Sequence, residues 1–304
     1  MDVKTKSLFY NTARKIGCLF FLLSFSISVF AEQQTTVLHP KGLLWKIQKT
    51  GRADSYLFGT MHISDSRVIK LLSVLQQALK DSDVFAMEVV LDDVAQKAIS
   101  KASLFADNEL LQDYIDDLQL SRINRIMYQY YGVDPEDVNR MKPWAVMATL
   151  SSPPPQSNKN VLDLEIRNLA REFGHNVVGL ETIEEQIDAL SGMSMADQLW
   201  LLNKSLNDFE TSMTLWETMI ESYLQRDLQA LMKEQEALMD DTSQIDDRFM
   251  EKLVDQRNIK MAERLIVLMQ KNSVFAAVGA LHLPGEKGVL HLLERAGYQV
   301  VPVY

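Results

Sequence analysis

Two motifs of the same type, a glycine followed three residues later by a histidine, lie near opposite ends of the sequence. Gly59 leads to His62 and Gly279 leads to His282, and each motif directly follows an apolar segment typical of a buried strand. Glycine at a strand end lets the backbone turn sharply or approach a ligand closely. A single motif of this kind carries little information, since most such histidines are exposed or locally hydrogen-bonded. Because open α/β sheets place their sites at the carboxyl ends of strands, the repeat predicts two imidazoles in one crevice, provided that both strands join one sheet.

Two charged residues interrupt apolar patterns elsewhere in the chain. Glu88 lies within the apolar run 85–90, where a buried carboxylate needs a cation, a metal ion or a raised pKa. The alternative is a position at the sheet edge, where Glu88 faces water. Arg257 falls within the apolar stripe of a helix predicted over 245–271, so its guanidinium needs a carboxylate partner or an anionic ligand. The alternative is that its stem packs on the helix while its head reaches water.

These four residues indicate a divalent-metal centre. Two imidazoles and a carboxylate suit Zn, Mn, Fe or Co and leave coordination positions open for water. We therefore expect His62, Glu88 and His282 to be metal ligands, or Glu88 to be the base for a metal-activated water. Arg257 would hold a substrate carboxylate or stabilise a developing oxyanion. The His-Glu-x-x-His motif of zinc proteases and the Gly-x-Ser-x-Gly nucleophile elbow are both absent from the sequence.

The elements that must position these residues predict an α/β fold. Strand patterns cluster at the two ends of the chain, and the region from about 92 to 271 reads as helix, interrupted by a short strand near 176–180. Since the terminal strands are too few for two sheets, we expect one mixed central sheet. It would be built from an N-terminal and a C-terminal β-Gly-x-x-His-α-β unit, with the helical region as a large insertion packed over it.

Composition excludes several classes of function. The chain has 304 residues, a net charge of −10 and 47% hydrophobic residues, so it can bury a sizeable core but lacks the excess positive charge of a nucleic-acid-binding protein. Cys18 is its single cysteine, which rules out a disulfide framework and a cysteine-based zinc knuckle.

Residues 1–31 are predicted to be a secretory signal peptide. A basic start, a short apolar stretch from Ile16 to Phe30 and small residues before Ala31 are typical of such a leader, with cleavage after Ala31. The alternative is an uncleaved anchor, although a spanning helix needs about 20 apolar residues. The mature chain, 32–304, contains no further stretch that could span a bilayer, so we expect one secreted, periplasmic domain.

The chain resembles the TraB/PrgY/GumN proteins, a family that includes the animal Tiki proteases. Carried over residue by residue, the family's two Gly-x-x-His motifs, glutamate and arginine are His62, His282, Glu88 and Arg257, and Glu181 belongs to a further matching motif. The resemblance implies an erythromycin-esterase/ChaN-like fold and, for Tiki members, a metalloprotease dependent on a divalent metal such as Mn or Co. The matching segments are Leu44 to Ile47, Ser55 to His62, Ala86 to Glu88, Lys142 to Trp144, Gly179 to Thr182 with Glu185 and Gln186, Arg257 with Asn258, and Val278 to Leu283 with Gly285 and Gly288.

Three functions are compatible with these residues. The first is a secreted metal-dependent hydrolase that acts on a peptide or protein substrate, with Mn, Co or Zn as its metal. The second is a periplasmic binding protein that captures a peptide or haem in the same crevice without cleaving it. The third is an interaction domain whose helical cap docks a partner, favoured only if Glu88 pairs with Arg257 and no metal binds. The sequence carries no signal for the oligomeric state.

Overall fold

A computed structural model of the chain describes residues 37–106, 108–155, 161–239 and 243–304. The predicted signal peptide lies outside these residues, so its cleavage stays a prediction. Within the described residues, the strands form one six-stranded sheet with the order β4-β3-β5-β2-β1-β6. The strands are β1 (Leu44–Gln48), β2 (Ser55–Thr60), β3 (Val84–Met87), β4 (Asn176–Gly179), β5 (Val274–Gly279) and β6 (Gln299–Pro302).

The sheet register brings the two Gly-x-x-His motifs side by side. Strands β2 and β5 are parallel neighbours, with Gly59 opposite Val278 and Thr60 opposite Gly279. Strand β3 pairs parallel with the other edge of β5, so that Glu88, the residue after this strand, leaves the sheet at the same end. The apolar side chains of β2, β3 and β5 are almost all buried, as is typical of parallel strands covered on both faces.

The α/β class and the mixed sheet are confirmed, but the two motif units are not equivalent. Strand β3, which follows the first motif, pairs parallel with β5 in the interior of the sheet. Strand β6, which follows the second motif, instead pairs antiparallel with β1 at the sheet edge. The two units therefore place their second strands on opposite sides of the β2–β5 pair, and the erythromycin-esterase/ChaN-like arrangement stays a prediction.

The region between β3 and β5 is almost entirely helical. Among the described residues, no helix combines the length and the apolarity that a bilayer crossing requires. The helices are α1 (Ser66–Ile69), α2 (Leu72–Lys80), α3 (Asp93–Ser103), α4 (Asp117–Ile126), α5 (Pro135–Arg140), α6 (Pro143–Leu150), α7 (Leu162–Glu172), α8 (Ile183–Ser191), α9 (Met195–Asn207), α10 (Phe209–Leu224), α11 (Leu228–Glu236), α12 (Gln244–Met250), α13 (Gln256–Met269) and α14 (Val289–Arg295), with 3₁₀ turns at Leu111–Asp113 and Ala280–His282 and π-helical segments at Met127–Tyr131 and Glu251–Asp255.

Two apolar cores hold these elements together. The first surrounds the sheet and is completed by side chains from helices such as α2, α7 and α13. The second lies within the helical region, among α4, α6 and α9. Helix α10 contributes to both cores, with Phe209 in the second and Tyr223 in the first. The α12–α13 segment does the same through Phe249 and Met261. These two elements therefore connect the sheet to the helical region.

An ion pair between Arg264 and Glu185 connects helix α13 to helix α8. Arg264 donates from both terminal nitrogens to Glu185, at 2.6 and 2.8 Å, and Glu185 also accepts from the backbone of Thr182 in a capping box. The hydrogen bonds from Arg264 lower the pKa of Glu185 from 4.5 to about 2. Because the folded pKa is depressed, this stabilisation is present above the unfolded pKa and is lost as the pH falls towards 2.

We expect Arg264→Met to lower the free energy of unfolding by about 1 kcal/mol at pH 7, since the pair is partly exposed. The difference from the wild type should shrink as the pH falls from about 5 to about 2, as the carboxyl of the unfolded chain becomes protonated. Urea unfolding across this range measures both effects. Lys260→Met is the matched control, because Lys260 is about as exposed as Arg264, at 47% against 41%, but lies 3.5 Å from the same carboxylate and lacks the two short hydrogen bonds. An equal loss in the two variants would contradict the expected role of Arg264.

Candidate active site

A cavity of about 550 Å³ lies at the carboxyl ends of β2 and β5. His62 and His282 both line it, together with Thr60, Gly279 and Arg257. The two histidines come from segments that are 220 positions apart in the chain, and the parallel pairing of β2 with β5 brings these segments together. The cavity therefore collects the imidazoles that the sequence singled out, as the repeat predicts.

His282 is buried, and its hydrogen bonds fix its tautomer. The Nδ2 amide of Asn258 donates to the carbonyl of Lys287 at 2.9 Å, which turns the amide oxygen Oδ1 towards the ring. The imidazole Nδ1 donates to this oxygen at 2.6 Å, so the lone pair of the neutral ring lies on Nε2. Burial lowers the pKa of His282 to about 4, and the ring is therefore neutral at pH 7.

His62 is held in the same way but is open to solvent. Its Nδ1 lies 3.2 Å from Oδ2 of Asp163, and its side chain is 68% exposed. Thr60 donates from its hydroxyl to the other carboxylate oxygen of Asp163 at 2.6 Å, which anchors this carboxylate beside the ring. The hydrogen bond with Asp163 raises the pKa of His62, and burial only partly opposes it. Nδ1 therefore carries the proton, and Nε2 is the nitrogen left for a ligand.

Glu88 is enclosed by donors. Its Oε1 accepts from the backbone amide of Gly279 at 2.6 Å and lies 3.7 Å from Nε2 of His282, while Oε2 accepts from Nη2 of Arg257 at 2.7 Å. Burial would raise the pKa of Glu88, but the charge that His282 carries below its own pKa of about 4, the charge of Arg257 and the amide of Gly279 outweigh it and hold the pKa at about 2. Strand β3 is an interior strand, so Glu88 does not occupy the water-facing position at a sheet edge that was the alternative.

Arg257 is placed between two carboxylates. Its Nε donates to both oxygens of Glu181, at 3.0 and 2.9 Å, and Nη2 donates to Glu181 at 2.6 Å as well as to Glu88. Nη1 donates to the carbonyl of Leu253 at 3.1 Å. The side chain of Arg257 is only 8% exposed, so its head does not reach water. The guanidinium is thus already bound by protein groups, which favours a role in positioning Glu88 over the capture of a substrate carboxylate.

A π-helical segment sets the direction of Arg257. Residues Glu251–Asp255 form this segment between α12 and α13, and Leu253 and Val254 within it line the cavity. A π turn adds a residue to the helix and is often found at functional sites. Here the wider turn carries the carbonyl of Leu253, which accepts from Arg257 one turn later. The sequence alone predicts a continuous helix over 245–271 and gives no sign of this irregularity.

Both motif glycines lie where neighbouring groups approach the backbone closely. A Cβ on Gly59 would lie 2.7 Å from Cδ1 of Leu283 and 3.1 Å from Cα of Ala280. A Cβ on Gly279 would lie 3.2 Å from Oε1 of Glu88, the atom that its own amide binds. Gly59 therefore allows the two motifs to pack against each other, and Gly279 allows the glutamate to reach the backbone.

The donor chemistry of these residues fits a divalent metal ion. Ligating histidines typically bind through one nitrogen while the other donates to a carbonyl or carboxylate, and both His62 and His282 have this arrangement. The carboxylates of Glu88 and Glu181 carry two negative charges against the single positive charge of Arg257, an excess that a bound cation would reduce. Within the part of the chain that the structure describes, however, no three His, Cys, Asp or Glu side chains are close enough together to form a complete metal site.

Three residues of this site were not predicted from the sequence as functional. Asp163 orients His62 and Asn258 orients His282. Tyr223 is buried and donates its hydroxyl to the carbonyl of Gly59 at 2.7 Å, which fixes the start of the first motif. Asp163 lies in the first turn of α7, where an acidic residue is expected for helix stability alone, so nothing local distinguishes it.

The chain belongs to the TraB/PrgY/gumN family, whose model matches residues 43–302. It is 26% identical to "Metalloprotease TIKI1" and 26% identical to "Metalloprotease TIKI2", both from Danio rerio; each match covers 84% of this chain, and 62% and 60% of the relatives. It is 24% identical to human "Metalloprotease TIKI1", over 84% of this chain and 61% of that protein. The chain thus spans about three fifths of the length of these relatives. No solved structure matches it significantly. The family resemblance predicted from the motifs is confirmed.

Proposed function

On the premise of this family membership, we propose that the chain is a secreted, divalent-metal-dependent hydrolase, and specifically a peptidase that uses a metal-activated water. One observation carries the proposal. Two imidazoles line a single cavity, and each has Nδ1 bound to an oxygen acceptor, so that the lone pair of the neutral ring lies on Nε2. Nε2 of His282 lies 3.5 Å from Nη1 of Arg257, a contact that a metal ion would replace, and next to the carboxylate of Glu88, which stays ionised. The name metalloprotease, which the matching relatives carry, supports the same chemistry. The predicted leader over 1–31 supports secretion.

Each residue then has a defined role. His62 and His282 would hold the metal through their imidazoles, and Glu88 would contribute an anionic oxygen beside them. Mn, Co or Zn would supply Lewis acidity and lower the pKa of a bound water. A general base works best with a pKa near the working pH, so the pKa of about 2 for Glu88 favours a ligand over a base. Arg257 and the amide of Gly279 hold this carboxylate in place.

The test is elemental analysis of the purified protein combined with a peptide-cleavage assay. We expect about one equivalent of a transition metal, loss of cleavage after chelation and recovery on adding back Mn, Co or Zn. His62→Ala removes a ligand from an exposed position, so it should lower metal affinity at least about 100-fold without unfolding the protein. His291→Ala is the matched control, because His291 also bonds a carboxylate, Glu294, but does not line the cavity. Equal metal retention in both variants would overturn the proposal.

A binding protein is the second candidate, and one observation favours it. Glu88 is already paired with Arg257 and the amide of Gly279, and the cavity is large enough to hold an organic ligand. A peptide or haem that binds equally well after the metal is removed, with no turnover, would support this function over hydrolysis. The third function considered from the sequence, an interaction domain, requires this same pairing of Glu88 with Arg257. It also requires that no metal binds.

A further inference from the structure

We infer that the cavity beside His62 and His282 receives an uncharged apolar side chain of a peptide, which lies next to the bond to be cleaved. The inference rests on the proposed peptidase function and adds the class of substrate. The polar groups described above form part of the cavity lining. Apolar residues of helix α10 and of the segment from α12 to α13, the two elements that connect the two cores, form another part of it.

The apolar wall is built from side chains already packed into the fold. Met219 and Ile220 of α10 are 5% and 8% exposed, and Trp216, one turn earlier on the same helix, is half-buried. Met250 and Leu253 of the second element also line the cavity and are also half-buried. Pockets that bind organic groups are mostly lined in this way, with a few polar groups that fix the orientation of the ligand. The shape of this apolar wall is set by the two cores behind it.

The charges in the cavity disfavour a charged side chain. Arg257 is bound by Glu88 and Glu181, so it offers no unsatisfied charge to an acidic group. Asp65 caps helix α1 and pairs with Arg67 at 2.9 Å, so it is not available to a basic group. A charged side chain that entered would lose its hydration without gaining a partner among the described lining residues. An apolar side chain would lose no favourable hydration and would cover the apolar wall of the cavity.

A second cavity of about 320 Å³ adjoins the first. The two cavities share Gln235, Met250, Val254 and Leu281 in their linings, and the second extends to the loop from Pro284 to Gly288. An extended chain such as a peptide is long enough to reach both cavities, whereas a compact small molecule would fill only one.

The experiment measures binding separately from cleavage. The probes are acetyl-Gly-Gly-Xaa-Gly-Gly-amide peptides in which Xaa is Leu, Phe, Glu or Lys, titrated calorimetrically into the full chain with and without chelator. We expect the Leu and Phe peptides to bind at least about tenfold more tightly than the Glu and Lys peptides in both conditions. Equal affinity for the four peptides, or binding of none of them, would overturn the inference.

Variants locate the preference in this cavity. Trp216→Ala should reduce the preference for Phe over Glu by about fivefold or more, and Met250→Ala, a second variant from the other apolar element, should do the same. Trp200→Ala is the matched control, since Trp200 is also half-buried on a helix but lies away from the cavity. A preference that survives in both cavity variants would refute the assignment. If the protein prefers apolar peptides but cleaves none of them with any metal, the inference about the cavity holds and the proposed hydrolase function is wrong. If it cleaves peptides without preferring apolar ones, the hydrolase function holds and the inference about the cavity is wrong.

Discussion

Replacing Arg257 by methionine is expected to lower the free energy of unfolding by about 3–5 kcal/mol, because it leaves two buried carboxylates without their cation. The Glu181 side chain is 0% exposed and takes its hydrogen bonds from Arg257, and Glu88 loses one of its two closest donors. Methionine has a similar stem, so the apolar packing of α13 is largely retained. Urea unfolding at pH 7 measures the loss.

Two further variants separate the buried charge from the loss of a side chain. Combining Arg257→Met with Glu181→Gln removes the fully buried one of the two uncompensated charges, and we expect it to recover at least half of the lost stability. Arg67→Met is the matched surface control, since Arg67 also binds two carboxylates, Asp65 and Glu217, but is 41% exposed. That variant should cost about 1 kcal/mol or less. Similar losses in the two arginine variants would contradict a special role for the buried one.

The same network explains why a buried cation is found where an apolar residue would pack as well. A buried ion pair contributes little net stability, because desolvation offsets the attraction between the charges. Arg257 instead fixes the positions of two carboxylates relative to His282, whose Nε2 lies 3.5 Å from Nη1. The desolvation that makes Arg257 necessary also keeps His282 neutral. The arrangement therefore favours geometry at the site over stability of the fold.

The polar residues of the site could be predicted wherever they break an apolar pattern. Glu88 and Arg257 are conspicuous because a buried charge is costly, and the structure pairs them with each other across 169 positions of the chain. The identity of the partner was not predictable, since it depends on the packing of α13 over the end of β3. Asp163 lies 101 positions from His62 and Asn258 lies 24 positions from His282, and local pattern gives no information about such contacts.

The sheet shows the same division between local and long-range information. The strand segments could be predicted because their apolar runs and turn residues are local. The pairing of β6 with β1 could not be predicted, because hydrophobic periodicity and composition do not specify which edge of the sheet a strand joins. The region from about 92 to 271 was predicted as helix interrupted by a short strand near 176–180, whereas the structure places a π-helical segment at Glu251–Asp255, just before Arg257. Of the two π-helical segments among the described residues, this one lines the candidate site.

Replacing Glu88 by glutamine is expected to abolish metal binding and peptide cleavage under the proposed function, with losses of at least about 100-fold in both. Glutamine has the same shape, and its one oxygen can still accept from Gly279, but it lacks the negative charge that balances a divalent ion. Arg257 keeps its contacts with Glu181, so the loss of stability should stay within about 1–2 kcal/mol. Elemental analysis, cleavage assays and urea unfolding on one preparation measure the three quantities.

Glu185→Gln is the matched control for this variant. Glu185 is also bound by an arginine, Arg264, and also has a pKa of about 2, whereas only Glu88 lies beside His282, with Oε1 3.7 Å from Nε2. We expect the control to lose a similar amount of stability while retaining metal and cleavage. Full metal content in Glu88→Gln would remove Glu88 from the ligands. Parallel losses of metal in both variants would instead trace the effect to stability, because each glutamate binds an arginine and has a depressed pKa but only Glu88 contacts a predicted ligand.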